Sequence, residues 1–144
     1  MISYKIGLDI GSTTVKLAVL NEENILIYSK YKRHFSDIKS TIIKLINECY
    51  DELGDIECTI SVTGSGGLSV SKWLNVSFVQ EVIACSKTVE TIIPQTDVVI
   101  ELGGEDAKIT YFKGGIEQRM NGSCAGGTGA FIDQIHYNIH SLTL

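Results

Sequence analysis

The sequence predicts an α/β fold, in which a mixed β-sheet begins with three antiparallel strands and is flanked by helices. Two observations indicate this fold. A short apolar run ends at a turn rich in Gly, Ser and Thr, and two strand-like segments and a segment with helical spacing follow it. The same strand–turn–strand pattern then recurs later in the chain. A length of 144 residues suits one domain, or one domain and part of a second.

The first three strands are predicted from apolar segments separated by turn-forming residues. They cover residues 6–9, 15–20 and 24–31, with a hairpin turn at residues 21–24. Short connections of this kind join antiparallel neighbours, so the three strands should lie side by side.

A helix is predicted to follow these strands. Ser36 or Asp37 can cap its start, and it should run to about Glu52. Its apolar residues recur at helical spacing: Ile38, Ile42, Leu45, Ile46 and Tyr50.

The next segment predicts a strand at residues 57–63, a short strand at 78–79 and a helix at 81–93. Between the two strands, Gly64-Ser65-Gly66-Gly67 opens a short helix toward Trp73. This glycine segment either approaches a phosphate at the helix start or forms a tight strand-to-helix connection. The residues of the 81–93 helix predicted to face inward are Val82, Val89 and Ile93.

Pro94 is the only proline and indicates a boundary near residue 95. Residues 1–95 are predicted to form one near-complete lobe, and residues 96–144 the start of a second lobe, which is expected to be incomplete. The elements predicted for the second lobe are strands at 97–102, 108–112 and 116–120, and a glycine-rich loop at 122–129 that leads into a helix reaching about residue 140.

An internal repeat relates the two predicted lobes. Asp9-x-Gly11 and Glu101-x-Gly103 lie 92 residues apart, and the same interval separates Lys16 from Lys108. Each glycine turn follows an apolar strand and precedes a hairpin. The sequence therefore predicts a strand–glycine turn–strand–strand unit that occurs twice.

Both glycine turns have the chemistry of phosphate loops. Glycine lets backbone N–H groups approach phosphate oxygens, and Ser and Thr hydroxyls add further donors. Asp9 is predicted to hold Mg²⁺ through water, and Lys16 to reach a phosphate as a point charge. With Glu101, Asp9 is a candidate catalytic carboxylate. The candidate nucleotide-binding residues are Gly11, Ser12, Thr13, Thr14, Lys16, Gly103 and Gly104. Neither turn has Walker A or Rossmann spacing.

Composition narrows the possible partners. A net charge of −5 without a concentrated basic block argues against nucleic acid. The sequence shows neither a signal peptide nor an apolar stretch of membrane-spanning length. Its four cysteines include no Cys-x-x-Cys and no disulfide pattern, so a cytoplasmic protein with reduced thiols is expected. Three of these cysteines are predicted to be core or surface fillers: Cys49, Cys58 and Cys85.

Four segments resemble known families. The strand and turn at Asp9-Ile10-Gly11-Ser12-Thr13 resemble the first phosphate motif of the acetate and sugar kinase, Hsp70 and actin superfamily, which implies an RNase H-like fold. The segment from Met120 to Asp133 looks like the cluster-ligand motif of the BadF/BadG/BcrA/BcrD-type ATPases, which include activators of 2-hydroxyacyl-CoA dehydratases and benzoyl-CoA reductase. The segments 101–108 and 31–36 are similar to the large version, the CoA-substrate-specific enzyme activases.

The resemblance implies an ATPase that acts in electron transfer. In that family each subunit of a homodimer binds ATP between two lobes, and one [4Fe–4S] cluster bridges the dimer through two cysteines from each subunit. ATP hydrolysis drives a low-potential electron onto a partner acyl-CoA dehydratase or reductase. Carried onto this chain, the first phosphate motif matches Asp9, Gly11, Ser12, Thr13 and Lys16, the second matches Gly103 and Gly104, and Cys124 matches the first cluster cysteine.

The residues at Cys124 suit that role physically. A cysteine in a glycine-rich loop at a helix N-terminus has its thiolate favoured by the helix dipole and by free N–H groups. Those N–H groups can also bond cluster sulfurs. The second cluster cysteine and the adenosine-binding segment are expected beyond Leu144, so this piece alone is predicted to be inactive.

The sequence departs from the small activators at two positions. Glu101 stands where they usually have Asp, and Glu105 where they often have Gln. Two alternatives stay open. A small-molecule kinase of the same superfamily would share the phosphate turns but would have no reason to hold Cys124 in its loop. A non-catalytic regulatory lobe of a larger protein would not bind Mg-ATP.

Overall fold

The computed structural model describes residues 4–104 and 106–121, in two compact units. The first unit ends at Glu81 and the second begins at Val82. The division into lobes 1–95 and 96–144 stays a prediction. Within the described residues no helix combines the length and apolar character needed to cross a membrane.

The first unit is built on a five-stranded mixed sheet in the order β3-β2-β1-β4-β5. The strands are β1 (Tyr4–Ile10), β2 (Thr14–Leu20), β3 (Leu26–Arg33), β4 (Cys58–Thr63) and β5 (Ser77–Phe78), and the helices are α1 (Ile38–Leu53) and α2 (Gly67–Leu74). β1, β2 and β3 pair antiparallel, whereas β4 runs parallel to β1 and β5 parallel to β4. The predicted mixed sheet with three antiparallel opening strands is confirmed.

Strand alternation separates a core face from a polar face. Leu8 pairs with Leu17 and Ile10 with Val15, and all four side chains are buried in a core with residues of α1. Burying a side chain of this size contributes about 1.5–3 kcal/mol. Successive residues of a strand point to opposite faces, so Asp9, which pairs with Lys16, lies on the face opposite the core.

The caps of α1 follow the sequence signals. The Asp37 side chain accepts a hydrogen bond from the Ser40 N–H (3.1 Å), as an N-cap residue should. This bond lowers the pKa of Asp37. At the other end, Gly54 adopts φ 75° and donates its N–H to the Tyr50 carbonyl. Of the two predicted caps, Ser36 and Asp37, the structure shows Asp37.

An unusual turn connects β3 to α1. The Asp37 N–H donates to the His34 carbonyl (2.7 Å), and the two residues between them, Phe35 and Ser36, have φ of 45° and 68°. Two consecutive positive φ values are the signature of a type I′ turn, which normally takes Asn and Gly. Phe35 and Ser36 thus adopt backbone angles that residues with a Cβ disfavour.

Ser36→Gly is expected to raise the free energy of unfolding by about 0.5–1 kcal/mol. Relief of about 1–2 kcal/mol of left-handed strain is partly offset by the greater freedom of glycine in the unfolded chain. Urea unfolding of both proteins measures the difference. Ser29→Gly in β3, where φ is not positive, is the control and should destabilise. A Ser36→Gly protein less stable than the parent would contradict the prediction.

The second unit carries a smaller antiparallel sheet in the order β6-β7-β8. Its elements are α3 (Glu81–Ile92), β6 (Val98–Leu102), β7 (Ala107–Tyr111) and β8 (Glu117–Met120). In α3, Val89 is buried as predicted, but Ile93 is 50% exposed. That residue lies one position beyond the end of the helix, and its N–H donates to the Val89 carbonyl (2.9 Å). The predicted loop at 122–129 and the helix after it lie outside the described residues.

Candidate functional site

The first glycine turn joins β1 to β2 and places two charged side chains side by side. The Gly11 N–H donates to the Thr14 carbonyl (2.9 Å), which closes the turn. Asp9 and Lys16 are register partners, and the Lys16 ammonium lies 2.7 Å from Asp9 Oδ2. The pair is partly exposed, so Lys16 can exchange this carboxylate for another anion at little energetic loss.

The second oxygen of Asp9 is in a different situation. Asp9 Oδ1 is buried and has no hydrogen-bond partner among the described residues, and the same holds for Thr63 Oγ1. Thr63 is the register partner of Asp9 on β4. Buried oxygens of this kind are normally satisfied by protein, water or an ion. A carboxylate and a hydroxyl facing the same space fit the water shell of a Mg²⁺ ion, which prefers oxygen and keeps several waters.

The glycine segment before α2 packs directly against Asp9. Gly64 has φ 95°, and a Cβ there would overlap the Ile10 carbonyl oxygen and lie 2.5 Å from Asp9 Oδ1. The Gly66 N–H donates to the same carbonyl (2.9 Å). Of the two alternatives for this segment, the structure shows the tight strand-to-helix connection. Its consequence is that Gly64 forms one wall around the Asp9 carboxylate.

His34 was not predicted to belong to any site, yet it contacts the first turn. Its side chain is in hydrogen-bond contact with the Gly11 carbonyl through Nε2 (3.3 Å), and its main-chain N–H donates to the Thr13 carbonyl (3.1 Å). The sequence did not indicate this contact. In the structure, β2 pairs with β3 so that Thr14 lies opposite Arg33, and the residue that follows Arg33 is His34.

The second glycine turn repeats the geometry of the first within its own unit. The Gly103 N–H donates to the Asp106 carbonyl (2.8 Å), and Glu101 pairs with Lys108 in the β6–β7 register. Lys108 Nζ lies 3.4 Å from the Asp106 carboxylate. The hydrogen bond of the Gly103 N–H thus corresponds to that of the Gly11 N–H in the first turn. The Glu101–Lys108 register pair corresponds to the Asp9–Lys16 pair. The predicted repeat is therefore present in backbone register as well as in sequence. Gly104 follows in the same turn.

Cys85, predicted to be a filler, lies against the carboxylate of the second turn. Burial raises the pKa of the Cys85 thiol, and the negative charge of Glu101, to which the thiol donates a hydrogen bond, raises it further. A protonated thiol is a weak hydrogen-bond donor. The predicted catalytic carboxylate therefore has a contact on α3 that the sequence did not indicate.

The thiols of the first unit do not resemble metal ligands. Burial raises the pKa of both Cys49 and Cys58, which favours the protonated form over the thiolate that iron binds. Among the described residues, no cluster of three or more His, Cys, Asp or Glu side chains could hold a metal ion. Cys124 and Glu105 lie outside the described residues, so the predicted cluster cysteine is not placed by the structure.

A family model matches most of the chain. The model of the BadF/BadG/BcrA/BcrD ATPase family covers residues 6–140. This range includes both glycine turns and Cys124.

Individual relatives agree with this match. The 2-hydroxyisocaproyl-CoA dehydratase activator of Clostridioides difficile is 30% identical over 137 residues, which is 90% of this chain and 50% of the relative. A solved structure of the activator of the 2-hydroxyisocaproyl-CoA dehydratase from Clostridium difficile with bound ADPNP has a TM-score of 0.74 and 30% identity, covering 95% of this chain and 52% of the other.

Component A of the (R)-2-hydroxyglutaryl-CoA dehydratase of Acidaminococcus fermentans has a TM-score of 0.75 at 25% identity, covering 90% of this chain and 51% of the other. The chain thus spans about half the length of the relatives it matches. These neighbours confirm the predicted α/β, RNase H-like fold of the actin, Hsp70 and sugar kinase type.

Proposed function

The chain belongs to the BadF/BadG/BcrA/BcrD ATPase family, and on that premise we propose that it supplies the phosphate-binding part of an ATP-dependent activator of an acyl-CoA dehydratase or reductase. The observation that carries the proposal is the duplicated turn. Each copy combines a glycine turn with a carboxylate and a lysine in matching register: Asp9 with Lys16, and Glu101 with Lys108.

The first turn binds phosphate oxygens through the N–H groups and hydroxyls of Ser12, Thr13 and Thr14. Lys16 leaves Asp9 and pairs with a phosphate, because its present salt bridge is partly exposed and weak. Asp9 would hold a Mg²⁺ ion through the ion's water shell, and the bound ion would neutralise part of the phosphate charge. The orphaned Asp9 oxygen supports this part of the proposal.

The second turn holds phosphate oxygens through the N–H group of Gly104, while the N–H of Gly103 closes the turn on the Asp106 carbonyl. Glu101 serves as the second catalytic carboxylate. The hydrogen bond from Cys85 limits the directions that this carboxylate can take. Lys108 supplies a positive charge in the same turn, where Asp106 is its partner.

Electron transfer is the finer part of the proposal. By resemblance, Cys124 is the first cysteine ligand of a [4Fe–4S] cluster shared across a homodimer. The relatives' names support the activator role: they activate dehydratases of 2-hydroxyisocaproyl-CoA and related thioesters. The partner of this chain is accordingly a dehydratase or reductase component that acts on an acyl-CoA.

The test uses the intact protein, purified without oxygen and reconstituted with iron and sulfide. Iron content, visible absorbance and Mg-ATP hydrolysis are compared for the parent, Cys124→Ala and Cys58→Ala. The proposal expects a cluster that Cys124→Ala loses and Cys58→Ala keeps, since Cys58 has a raised pKa and no cluster role. A cluster that survives in Cys124→Ala would refute the electron-transfer part. Transfer of phosphate to a small acceptor molecule would favour the kinase alternative. If the protein does not bind Mg-ATP, the alternative of a non-catalytic lobe is favoured.

A further inference from the structure

We propose that His34 is a positioning residue of the first phosphate turn, and that it controls the affinity for Mg-ATP without touching the nucleotide. This inference rests on the proposed function of that turn. Two contacts carry it: His34 Nε2 lies 3.3 Å from the Gly11 carbonyl oxygen, and the His34 main-chain N–H donates to the Thr13 carbonyl (3.1 Å). One residue thus engages the turn at two of its carbonyl groups.

The hydrogen bonds of the ring assign its tautomer. The Ser36 N–H donates to Nδ1 (3.1 Å), so Nδ1 acts as an acceptor. A carbonyl oxygen only accepts, so the contact with Gly11 requires the proton on Nε2. The neutral imidazole with its proton on Nε2 satisfies both bonds. The ring is 8% exposed, which limits the rotations that could exchange them.

Holding these two carbonyls orients the donors of the turn. In a trans peptide the C=O of one residue and the N–H of the next point in opposite directions. The bond to the Gly11 carbonyl therefore sets the direction of the Ser12 N–H, and the bond to the Thr13 carbonyl sets that of the Thr14 N–H. Both carbonyl oxygens are also held toward His34. An anion at the turn is thereby presented with N–H groups rather than with carbonyl oxygens.

The backbone around His34 keeps the ring in place. Its carbonyl accepts from Asp37 across the type I′ turn, and Asp37 in turn caps α1. The turn keeps Phe35 and Ser36 at positive φ, although neither is glycine. Strained backbone of this kind persists where the surrounding structure holds it, and it is frequent beside functional sites. Phe35 is 82% exposed, so packing of its own side chain does not account for the conformation.

Two substitutions separate the two ring nitrogens. In His34→Gln the side-chain amide can reach the position of Nε2 and donate to Gly11. In His34→Asn the shorter amide reaches only the position of Nδ1, where it can accept from Ser36. We expect His34→Asn to raise the Kd for Mg-ATP about ten-fold, the effect of losing one bond that orients the turn, and His34→Gln to stay within about three-fold of the parent. Phe35→Ala is the matched control on the same turn and should leave the Kd unchanged.

The experiment measures the Kd for Mg-ATP by calorimetry in the intact protein, together with Tm in the absence of nucleotide. A raised Kd in His34→Asn with a Tm close to that of His34→Gln supports positioning, because a purely structural role would lower Tm and raise Kd together. If the parent binds Mg-ATP and His34→Asn binds it equally well, the inference is wrong while the proposed function stands. If the parent itself fails to bind Mg-ATP, the proposed function fails and the inference fails with it.

Discussion

Asp9→Asn is expected to lower kcat for ATP hydrolysis by about 10²–10³-fold, with a much smaller change in KM. The substitution keeps the shape of the side chain but removes the negative charge that attracts hydrated Mg²⁺. Loss of one preorganised electrostatic contact at a reacting phosphate has effects of this size. The fold should survive, because the Asp9–Lys16 salt bridge is partly exposed and contributes at most about 1 kcal/mol. Steady-state kinetics of the intact protein, with Tm alongside, measures both effects.

A matched control exists elsewhere in the chain. Asp97 forms an exposed salt bridge with Lys113 (3.2 Å). Asp97 precedes β6 and Lys113 follows β7, so the pair lies at the end of these strands opposite the second glycine turn. Asp97→Asn should therefore leave kcat unchanged. Hydrolysis by Asp9→Asn at the parent rate would remove Asp9 from the catalytic set. An equal loss in Asp97→Asn would show that the effect comes from net charge rather than from position.

The elements most accurately predicted from sequence are those specified by neighbouring residues. Hairpin turns, strand alternation and the Asp37 cap each depend on contacts within a few positions, so the β1–β2–β3 ribbon and α1 could be predicted closely. The repeat of Asp9-x-Gly11 as Glu101-x-Gly103 extended this to a non-local feature. Two copies of one sequence pattern imply the same backbone geometry in both turns. The strand registers agree, because Asp9 pairs with Lys16 and Glu101 pairs with Lys108.

The missed parts of the site depend on contacts between distant segments. His34 contacts Gly11 only because β3 pairs with β2 and the next turn adopts positive φ at two residues whose side chains disfavour it. No local preference predicts that turn. Thr63 reaches the space beside Asp9 only through the parallel pairing of β1 with β4. Cys85 likewise contacts Glu101. The spacing of apolar residues in α3 does not predict which residue of β6 the helix meets. Such contacts require the tertiary fold.

Gly64→Ala is expected to lower the free energy of unfolding by about 3 kcal/mol and to weaken Mg-ATP binding at least ten-fold. Two effects add. Alanine at φ 95° is strained, which contributes about 1 kcal/mol. Its methyl group would also overlap the Ile10 carbonyl and crowd Asp9, so the backbone must shift, at about 1–3 kcal/mol more. The shift displaces the carboxylate proposed to orient the hydrated metal ion.

Two other glycines separate these effects. Gly54 also has positive φ (75°), but a Cβ there meets nothing within 4 Å, so Gly54→Ala should show the strain alone, about 1 kcal/mol, with unchanged Kd. Gly7 lies on β1 two residues before Asp9, and a Cβ added there would meet nothing within 4 Å. Gly7→Ala should therefore change the free energy of unfolding by less than about 0.5 kcal/mol. Urea unfolding and nucleotide calorimetry of the three variants measure the difference. If Gly64→Ala behaves like Gly54→Ala, the packing of Gly64 against Asp9 and Ile10 has no energetic importance, and the wall it forms around the carboxylate is not part of the site.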